Sequence, residues 1–564
     1  MTVTLMNPDE TLETPVHPLG TDARILLCSV FGPYAQDDEF GSRKINPMEL
    51  LHNQVTRVQG PFSLRMFHRS WGLMLIQANI AAPSTLLDFP TLERFTEEIR
   101  ERPYDIIGIS SIVVNLGKVR KMCELIRHYQ PDCRIVIGGH ITNLAELEDM
   151  IDVDHIVRGE GVAWMRRYLG EDDTQPVVHP DIVSGFGGRI MGVPLREAAG
   201  DVAAVVIPSV GCPMGCNFCS TSALFGGKGK FVNFYEKGAE LFEVMSGLEQ
   251  RLGVQSFFVM DENFLLYRSR ALELLELMRL HGKAWSLYVF SSANAIQKYT
   301  MDELVSLGIA WVWLGLEGEE SRYSKLQGTR TTQLVKQLQS NGIRVLGSTI
   351  IGLENHTAEN IDEAIEYAVN HDTDFHQFML YTPVPGTPLY ADHKARGTLD
   401  SDMDPADIHG QFQFNFRHPF ISRQQSGEFL MRAFRLDFNR NGPSLLRIVR
   451  TLLQGWKRHR NHPDPRVRAR FRREMRFFPL TFGGAVWAME RYFRGRNEVV
   501  ARRVSAIRED IRREFRLAAP VGVLSGIFLR FRIWREERRL RSGWQYEPPT
   551  FVEHRNWTPA VQQG

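Results

Sequence analysis

The chain has only six cysteines in 564 residues, and this scarcity is the first constraint on its class. So few cysteines in a chain of this length exclude a disulfide-stabilised secreted scaffold. Three of them, Cys28, Cys123 and Cys133, are scattered, and we expect them to be buried structural thiols. The other three lie together on one short stretch, which indicates a reducing compartment.

A secretion signal and long hydrophobic runs are also missing. Residues 1–23 are rich in Thr, Pro and Glu, without a basic segment followed by an apolar core, and are predicted to be a disordered leader. Two apolar stretches, Phe477–Met489 and Leu517–Leu529, are each about 13 residues long, too short to cross about 30 Å of hydrocarbon as helices. We expect a cytoplasmic protein in which these stretches are interfacial helices or cover a barrel mouth.

Lysine is nearly absent from the last quarter of the chain, where arginine supplies the positive charge. From Ile421 to Gly564 there are 31 Arg and Lys against 13 Asp and Glu, with Lys457 the lone lysine. The remainder has 36 against 53, so the net charge of +1 conceals two oppositely charged parts. This segregation predicts that the basic part either meets an anionic surface, such as lipid or RNA, or docks on the acidic body.

The order of apolar runs and helical patterns predicts two successive α/β units. The first has expected strands at Arg24–Phe31, Gly72–Gln77, Tyr104–Ser110, Arg134–Gly138 and His155–Val157, and expected helices at Thr91–Arg102, Leu116–Tyr129 and Asn143–Ile151. The second has six expected strands, Ala203–Pro208, Ser256–Met260, Ala284–Phe290, Ala310–Gly315, Val345–Ile351 and Gln377–Tyr381. Its expected helices are Glu236–Leu252, Ser269–Leu280, Met301–Leu307, Thr332–Asn341 and Ala358–Asn370.

The three clustered cysteines are Cys212, Cys216 and Cys219, with Phe218 just before the last. Thiolates bind soft metals and iron–sulfur clusters, and a cubane cluster usually takes four of them. No fourth cysteine follows, so a cluster held here would keep one iron open to an added ligand. The alternative is a zinc knuckle, which needs a nearby fourth Cys or His, but the next histidine is His281.

This C-x3-C-x2-C spacing resembles the signature of the radical S-adenosylmethionine (SAM) enzymes. The resemblance implies a [4Fe–4S] cluster on the three cysteines and SAM chelated to the open iron, where an electron cleaves it to a 5′-deoxyadenosyl radical. It also implies a partial (β/α)6 barrel with the cluster loop after its first strand. Later strand ends match further motifs of that family, and they place these residues on the SAM side: Phe218, Asp261, Glu262, Asn263, Glu317, Gly352 and Tyr381. The family's Lys-Gly pair is replaced by Gln327-Gly328, which leaves the role of that lysine without a counterpart.

The first unit resembles the cobalamin-binding domain that precedes the barrel in one branch of these enzymes, and the segment from Tyr381 to Tyr390 resembles that branch's T-P-x-P-G-T-P-L-Y run. The implied cobalamin-side residues are Ser110, Ser111, Gly138, Gly139, His140, Gly159 and Glu160. A D-x-H-x-x-G motif is absent, so its histidine cannot ligate cobalt. His140 either approaches the corrin or is a hydrogen-bonded loop histidine. The long loop from Gly32 to Gln59, with Asp37, Asp38 and Glu39, is expected to cover cobalamin or substrate, or to be a surface lid.

The predicted fold class is α/β: a Rossmann-like cobalamin-binding domain, a partial radical SAM barrel and a helical, arginine-rich C-terminal region. The expected divisions are a leader (1–23), the cobalamin domain (24–171), a linker (172–201), the barrel (202–400) and the C-terminal region (401–564).

The leading functional hypothesis is a cobalamin-dependent radical SAM enzyme that methylates an unactivated carbon of a hydrophobic or lipid-like substrate. A reductant such as flavodoxin or ferredoxin and a peripheral contact with an anionic membrane are implied. The alternatives are a radical cyclase or rearranging enzyme of the same architecture, and an RNA-modifying enzyme. RNA is disfavoured because the scattered cysteines do not form the additional cluster site that such enzymes carry. A non-catalytic cobalamin or iron–sulfur sensor is disfavoured because the whole SAM-facing set is present.

Overall fold

The computed structural model describes residues 15–34, 38–40, 53–316, 330–400, 402–516, 519–544 and 546–557. Two α/β units follow one another along the chain, and a mostly helical region comes after them. The predicted fold class is therefore confirmed.

The first unit is built on a parallel sheet with the strand order β3-β1-β4-β5-β6. Strands β1 and β4 are short apolar runs buried on both faces, as the central strands of a parallel sheet should be. The elements are β1 (Ile25–Cys28), α1 (Asn53–Gln59), β2 (Arg65–Phe67), α2 (Trp71–Ala78), β3 (Ser84–Asp88), α3 (Leu92–Glu101), β4 (Ile106–Ser110), α4 (Leu116–Tyr129), β5 (Arg134–Gly138), α5 (Leu147–Met150), β6 (His155–Ile156) and α6 (Gly161–Tyr168).

One predicted strand of this unit is wrong. The run Gly72–Gln77 lies inside helix α2, and the strand that the sheet uses instead is β3, which the sequence reading missed. Short apolar runs do not distinguish a buried helix from a buried strand by periodicity. All five residues of β3 are buried, including Asp88, whose carboxylate is held by Arg69 and by the Ser70 backbone and hydroxyl.

Two segments expected to lack structure contain some. Within the predicted leader, His17 donates its backbone N–H to the carbonyl of Tyr168 at 2.7 Å, and Ala23 is fully buried. The predicted linker at 172–201 contains three strands, β7 (Val183–Ser184), β8 (Phe186–Ile190) and β9 (Val193–Pro194). Strand β8 lies between β2 and β9, so this segment is packed against the first unit.

The second unit is a six-stranded parallel sheet of β10, β13, β14, β15, β16 and β17, with β7 antiparallel at its β10 edge. All six predicted strands and all five predicted helices overlap observed elements. The elements are β10 (Ala203–Val206), β11 (Ser209–Gly211), α7 (Ser220–Leu224), β12 (Phe231–Asn233), α8 (Gly238–Leu252), β13 (Ser256–Val259), α9 (Arg268–Leu280), β14 (Ser286–Phe290), α10 (Ala293–Ile296), α11 (Met301–Ser306), β15 (Ile309–Gly315), α12 (Thr331–Ser340), β16 (Arg344–Ile351), α13 (Ile361–Asn370), β17 (Phe375–Leu380) and α14 (Pro388–Ala395).

In the described part of the C-terminal region there are six α-helices and one strand: α15 (Arg423–Asn441), α16 (Ser444–His459), α17 (Pro465–Glu474), α18 (Phe478–Phe493), α19 (Glu498–Glu514), α20 (Ala519–Arg541) and β18 (Phe551–Arg555). The described parts of the two apolar stretches lie on α18 and α20, except Phe477, which precedes α18. Among the described residues, no helix combines the length and apolar character that crossing a membrane requires.

Several arginines of the C-terminal region form ion pairs with the second unit. Helices α15 and α16 pair with carboxylates of the second unit through Arg432–Asp362 at 2.8 Å, Arg440–Glu366 and Arg450–Asp372. The expectation that the basic region docks on the acidic body is therefore confirmed for these two helices.

The C-terminal strand returns to the first unit. β18 pairs antiparallel with β3, from Phe551 opposite Asp88 to Arg555 opposite Ser84, and so covers an edge of the first sheet. The Phe551 ring packs edge-on against Phe186, with centroids 4.9 Å apart. The sequence reading did not predict this strand, which covers an edge that would otherwise present unpaired backbone groups.

We expect removal of residues 546–564 to expose the β3 edge and to weaken the first unit. Amide hydrogen exchange in Ser84–Asp88 should rise by about tenfold or more, because the covering strand is lost. Hydrogen-exchange mass spectrometry measures this directly. Deletion of residues 558–564 alone is the matched control, since it keeps β18. Equal protection of β3 in both truncated proteins would contradict the prediction.

Candidate functional site

The three clustered cysteines lie on a loop closed at its base by a small antiparallel ladder. Strands β11 and β12 pair through Ser209–Asn233 and Gly211–Phe231, so the two ends of the loop are held side by side. Gly215 has a φ of +65°, and a Cβ there would lie 2.6 Å from the Cα of Lys228. Glycine is therefore required where the two arms of the loop touch.

Each cysteine of the triplet is partly buried, in contrast to the other three, which are fully buried in the first unit. Burial, with smaller contributions from Glu262 and the other two cysteines, raises the pKa of the Cys212 thiol to about 12. Burial also raises the pKa of Cys219. Two neighbouring thiols that are costly to ionise without a cation fit a site in which bound iron supplies the positive charge.

The described residues contain no three Cys, His, Asp or Glu side chains that converge as ligands of a single metal ion would. In a cubane cluster the thiolates bind separate irons and need not converge on one point. The donor set on this loop therefore fits the predicted cluster.

The loop is held from two sides by neighbouring segments. The carbonyl of Asn217 accepts a hydrogen bond from the Leu389 N–H at 3.0 Å, and the carbonyl of Ser220 accepts one from Asn143 Nδ2 at 3.1 Å. A Cβ on Gly386 would lie 2.9 Å from Asn143, so the 381–390 segment also touches the first unit closely. Both α/β units and the proline-rich segment thus meet at the cysteine loop.

The three polar residues after β13 have different surroundings. Asp261 is buried and forms an ion pair with the equally buried Arg270, while its second oxygen accepts the Asn263 N–H at 3.0 Å. Asn263 is also buried and bonds Ser291 and Ser292 beyond the next strand. Of the three, only Glu262 has an exposed side chain, and it lines a cavity together with Cys219.

Glu262 is the acidic group best placed to receive a cation. Its side chain faces into the cavity, where desolvation of the carboxyl and the neighbouring Asp261 raise its pKa to about 7. An ammonium group bound nearby would favour the charged form of this carboxyl. The residue therefore fits the amino group of SAM, whereas Asp261 and Asn263 hold the strand end in shape.

The cavity beside Glu262 has a volume of about 480 Å³ and lies between the two units. His140 reaches it from the first unit, and Phe218 and Tyr381 reach it from the second. Burial lowers the pKa of His140, and its Nδ1 has no hydrogen-bond partner. A neutral histidine with an unpartnered nitrogen faces the shared cavity, which favours the interpretation that it approaches a cofactor.

The remaining SAM-side predictions have mixed placements. Gly352 has a φ of +74°, and a Cβ there would lie 2.4 Å from the Phe414 ring, so the glycine makes room for that ring. Glu317 and the Gln327-Gly328 pair lie outside the described residues.

A second cavity, of about 180 Å³, opens at the carboxyl ends of β4 and β5, where ligands of such sheets bind. Its lining includes most of the predicted cobalamin side: Ser110, Gly138, Gly139, Gly159 and Glu160. The rest of the wall is largely apolar and includes side chains of α2 and α6. An apolar groove floored by glycines fits part of a large planar or aromatic ligand.

Two of the cobalamin-side predictions have mainly structural contacts. Glu160 caps α6 by accepting the N–H groups of Val162 and Ala163 at 2.5 and 2.8 Å. Ser111 is buried, and its backbone bonds Gly138 and Ile141 at 3.1 Å each. These contacts hold the strand ends in place.

Several aromatic cavity residues were missed by the sequence reading. Phe290 and Trp313 stack with centroids 5.0 Å apart, and Trp313 donates its indole N–H to Ser348 Oγ at 2.7 Å. The alternating burial along β15 places every second residue on the barrel interior. A period of two in Trp311-Val312-Trp313-Leu314-Gly315 was the available signal.

Comparison with known proteins identifies both α/β units. Residues 72–168 match the family model of the B12 binding domain, and residues 206–368 match that of the radical SAM superfamily. The predictions of a cobalamin-binding domain and a radical SAM barrel are confirmed by these matches.

Several curated relatives align with this chain over part of their length. An uncharacterised methyltransferase of Pyrococcus horikoshii is 24% identical over 53% of this chain and 72% of its own length. The bacteriochlorophyllide d C-12(1)-methyltransferase of Chlorobaculum tepidum is 27% identical over 41% of this chain and 49% of its own. The anaerobic magnesium-protoporphyrin IX monomethyl ester cyclase of Rubrivivax gelatinosus is 24% identical over 53% and 60%. The chain thus spans between half and three quarters of these relatives.

A solved structure also overlaps with this chain. It is the radical SAM methyltransferase TsrM from Kitasatospora setae with cobalamin and a [4Fe–4S] cluster bound. The TM-score is 0.49 at 15% identity, over 79% of this chain and 99% of that one.

Asp261 and Glu262 should respond oppositely to removal of their charge. Asp261→Asn leaves the buried Arg270 guanidinium without its counter-ion, so the free energy of unfolding should fall by about 3–5 kcal/mol. Glu262→Gln removes a carboxyl whose raised pKa means that the folded protein disfavours its charged form, so the free energy of unfolding at neutral pH should stay unchanged or rise.

Urea unfolding of the iron-free proteins measures both changes, and isothermal titration of the reconstituted proteins measures SAM binding. SAM affinity should fall in Glu262→Gln. A Glu262→Gln protein that binds SAM as tightly as the parent would remove the proposed role of this carboxylate.

Proposed function

Because the chain belongs to the radical SAM enzymes that carry a B12-binding domain, we propose that it transfers a methyl group to an unactivated carbon of a hydrophobic, lipid-like substrate. One observation carries this proposal: Cys219 and Glu262 of the barrel and His140 of the first unit line one cavity. A methyl transfer between two cofactors needs their binding residues around a common space. The alternative of a sensor without catalysis provides no reason for such a shared space.

The residues of the site would divide among the cluster, SAM and cobalamin. Cys212, Cys216 and Cys219 would hold the [4Fe–4S] cluster, and Glu262 would bind the SAM ammonium group. Phe218, Gly352 and Tyr381 would border SAM, and the glycines at the ends of β5 and β6 would border cobalamin. When bound, these groups supply one-electron cleavage of SAM and a transferable methyl group. A flavodoxin or ferredoxin is the proposed source of electrons.

The side chains around the cavity would position substrate and exclude water. Apolar residues dominate its wall, with Ile112, Val113 and Val114 on one side and Phe290, Trp313 and Ile350 on the other. A dry apolar wall protects a reactive radical from side reactions. The same wall favours a substrate with substantial apolar surface.

A second candidate is a radical cyclase of the same architecture. It is supported by the cyclase of Rubrivivax gelatinosus, whose identity to this chain equals that of the Pyrococcus horikoshii methyltransferase. RNA modification has less support, since Arg432, Arg440 and Arg450 are engaged by barrel carboxylates and are not available for phosphates.

The product class can be read from mass spectrometry of lipid and polar extracts from anaerobic cells. Cells with the intact protein should contain a species one methylene heavier than its precursor, and Cys216→Ala should abolish it because a cluster ligand is lost. Cys123→Ala is the matched control, since Cys123 is buried in helix α4 of the first unit, away from the loop. A product lacking two hydrogens would favour the cyclase, and a changed RNA nucleoside would overturn both proposals.

Gly138 offers a test of the cobalamin groove that does not depend on turnover. A Cβ there meets no atom within 4 Å and Gly138 lines the 180 Å³ cavity, so Gly138→Leu should fill the groove without a clash. Bound cobalamin after reconstitution, measured by absorbance, should fall by about tenfold or more with the melting temperature unchanged. Glu101→Leu, on the exposed end of α3, is the control. Full cobalamin binding by Gly138→Leu would place the ligand elsewhere.

A further inference from the structure

Among the described residues, exposed apolar side chains are concentrated on the packed helices α18 and α20. Of the 18 large hydrophobic residues that are exposed in the described chain, eight lie on α20 or at the start of α18. Six of these are on α20 and two are at or next to the start of α18. We refer to the eight as the α18–α20 face: Phe477, Leu480, Val521, Leu524, Ile527, Phe528, Phe531 and Trp534.

The α18–α20 face is a continuous stripe, since its members follow helical spacing. Val521, Leu524, Phe528 and Phe531 recur every three or four residues and therefore lie on one side of α20. Leu524 is 71% exposed and Phe531 is 56% exposed. From residue 521 to residue 534 the stripe is about 20 Å long, at 1.5 Å per residue.

The opposite side of α20 fixes the helix rigidly to the protein. Gly522 and Gly526 lie against Gly483 and Gly484 of α18, and a Cβ on Gly526 would be 2.6 Å from the Trp487 ring. Ser525 Oγ donates to the Leu480 carbonyl at 2.7 Å, which places Leu480 beside the stripe. Glycine contacts of this kind let two helices approach closely, so the exposed side is a formed surface.

The exposed charged side chains of α20 itself are all positive. The two carboxylates of α20 point elsewhere: Glu536 is buried in a bidentate pair with Arg189, and Glu537 accepts the Tyr492 hydroxyl at 2.6 Å. On the exposed side the apolar stripe continues into arginines, Arg530, Arg535, Arg538 and Arg541, all of them exposed. Arg538 lies 5.0 Å from the Trp534 ring centroid, at the boundary between the two parts.

We propose that the α18–α20 face docks on an anionic lipid bilayer, with α20 lying in the plane of the interface. Its apolar side chains would enter the boundary between headgroups and acyl chains, and its arginines would contact lipid phosphates. Trp and Arg together at the edge of an apolar face suit that boundary, since both have an apolar body and a polar end. This surface is separate from the cofactor cavities, so the inference does not rest on the proposed methyl transfer.

A second copy of the chain fits this face less well. A two-fold contact would place the same surface on both partners. In one such contact the arginine-rich end of α20 would face the same end of α20 in the second copy, which places like charges opposite each other. In the other it would face the apolar part of α20 in the second copy, which buries the charges. A bilayer avoids both arrangements because it offers apolar depth and anionic groups at once.

Flotation of the full-length holoenzyme with phospholipid vesicles tests the proposal. The protein should float with vesicles of equal parts phosphatidylglycerol and phosphatidylcholine, and less with pure phosphatidylcholine. The double variant Leu524→Asp with Phe528→Asp should reduce the partition coefficient by about tenfold or more. Leu280→Asp is the matched control, because Leu280 is 76% exposed at the end of α9 in the barrel.

Other outcomes would overturn the proposal. Equal flotation of the double variant and the control would assign any lipid binding to another surface, and an absence of flotation would exclude it. Light scattering without vesicles tests self-association. If the parent protein is a dimer and the double variant is a monomer, the face is assigned to a second copy of the chain. The changed side chains are exposed, so an unchanged melting temperature is expected and excludes misfolding as the cause. Arg535→Glu with Arg538→Glu should specifically abolish the preference for anionic vesicles.

Discussion

The cysteine loop is fixed by hydrogen bonds from both α/β units, and the arrangement of the site follows from that attachment. Asn143 of the first unit donates to the Ser220 carbonyl, and the backbone of Leu389 donates to the Asn217 carbonyl. Gly386 is small enough to let the 381–390 segment touch Asn143. A loop held in this way cannot shift without moving the first unit. The spacing between the groove at β4 and β5 and the cysteines is therefore set by a few polar contacts and one close approach, which rigid positioning of reacting groups requires.

Charge segregation along the chain has a second structural role. Arginines of α15 and α16 meet carboxylates on α13 and on the turn after it, so the C-terminal region is fastened electrostatically to the barrel. Exposed pairs of this kind each contribute little, and their value here is in orientation more than in stability. The buried Arg447–Asp437 pair at 2.9 Å links α16 to α15 and is of a different kind, since neither charge is accessible to water. Helix α20 carries a further group of exposed arginines, Arg530, Arg535, Arg538 and Arg541.

The strands and helices of the barrel and the position of the cysteine loop could be predicted from the sequence. Elements whose structure depends on tertiary contacts could not. Apolar strands such as β15 and β16 alternate with helices of regular period, so local pattern and global fold agree there. The strand predicted at Gly72–Gln77 was wrong because a short apolar segment fits either a helix or a strand. Only the position of β3 in the sheet shows that this segment is helical. Strand β18 is short and largely exposed, and its existence depends on an edge more than 450 residues earlier in the chain. No local pattern carries that information.

The site was predicted at the level of motifs, but a motif does not show which of its residues faces a ligand and which supports the fold. In the sequence, Asp261, Glu262 and Asn263 are three equivalent polar residues. In the structure, Asp261 is buried in an ion pair with Arg270, whereas Glu262 faces the cavity. His140 was ambiguous for the same reason, because the sequence does not reveal which ring nitrogens find partners. Glu317 and the loop around it fall outside the described residues, and its role stays a prediction.

An apolar cavity and an amphipathic outer face impose a common requirement on the substrate. On the proposed function, a lipid-like molecule has to leave an apolar phase, and passage through water exposes hydrophobic area at about 25 cal/mol per Å². An enzyme lying at the interface shortens or removes that passage, because its cavity wall offers a comparable apolar environment. The arginines around α20 would then hold the protein at the surface by charge while the apolar stripe supplies the contact with the acyl boundary. Charge segregation in the sequence would thus divide into two uses: the arginines of α15 and α16 orient the C-terminal region on the barrel, and those of α20 orient the whole molecule on its substrate phase.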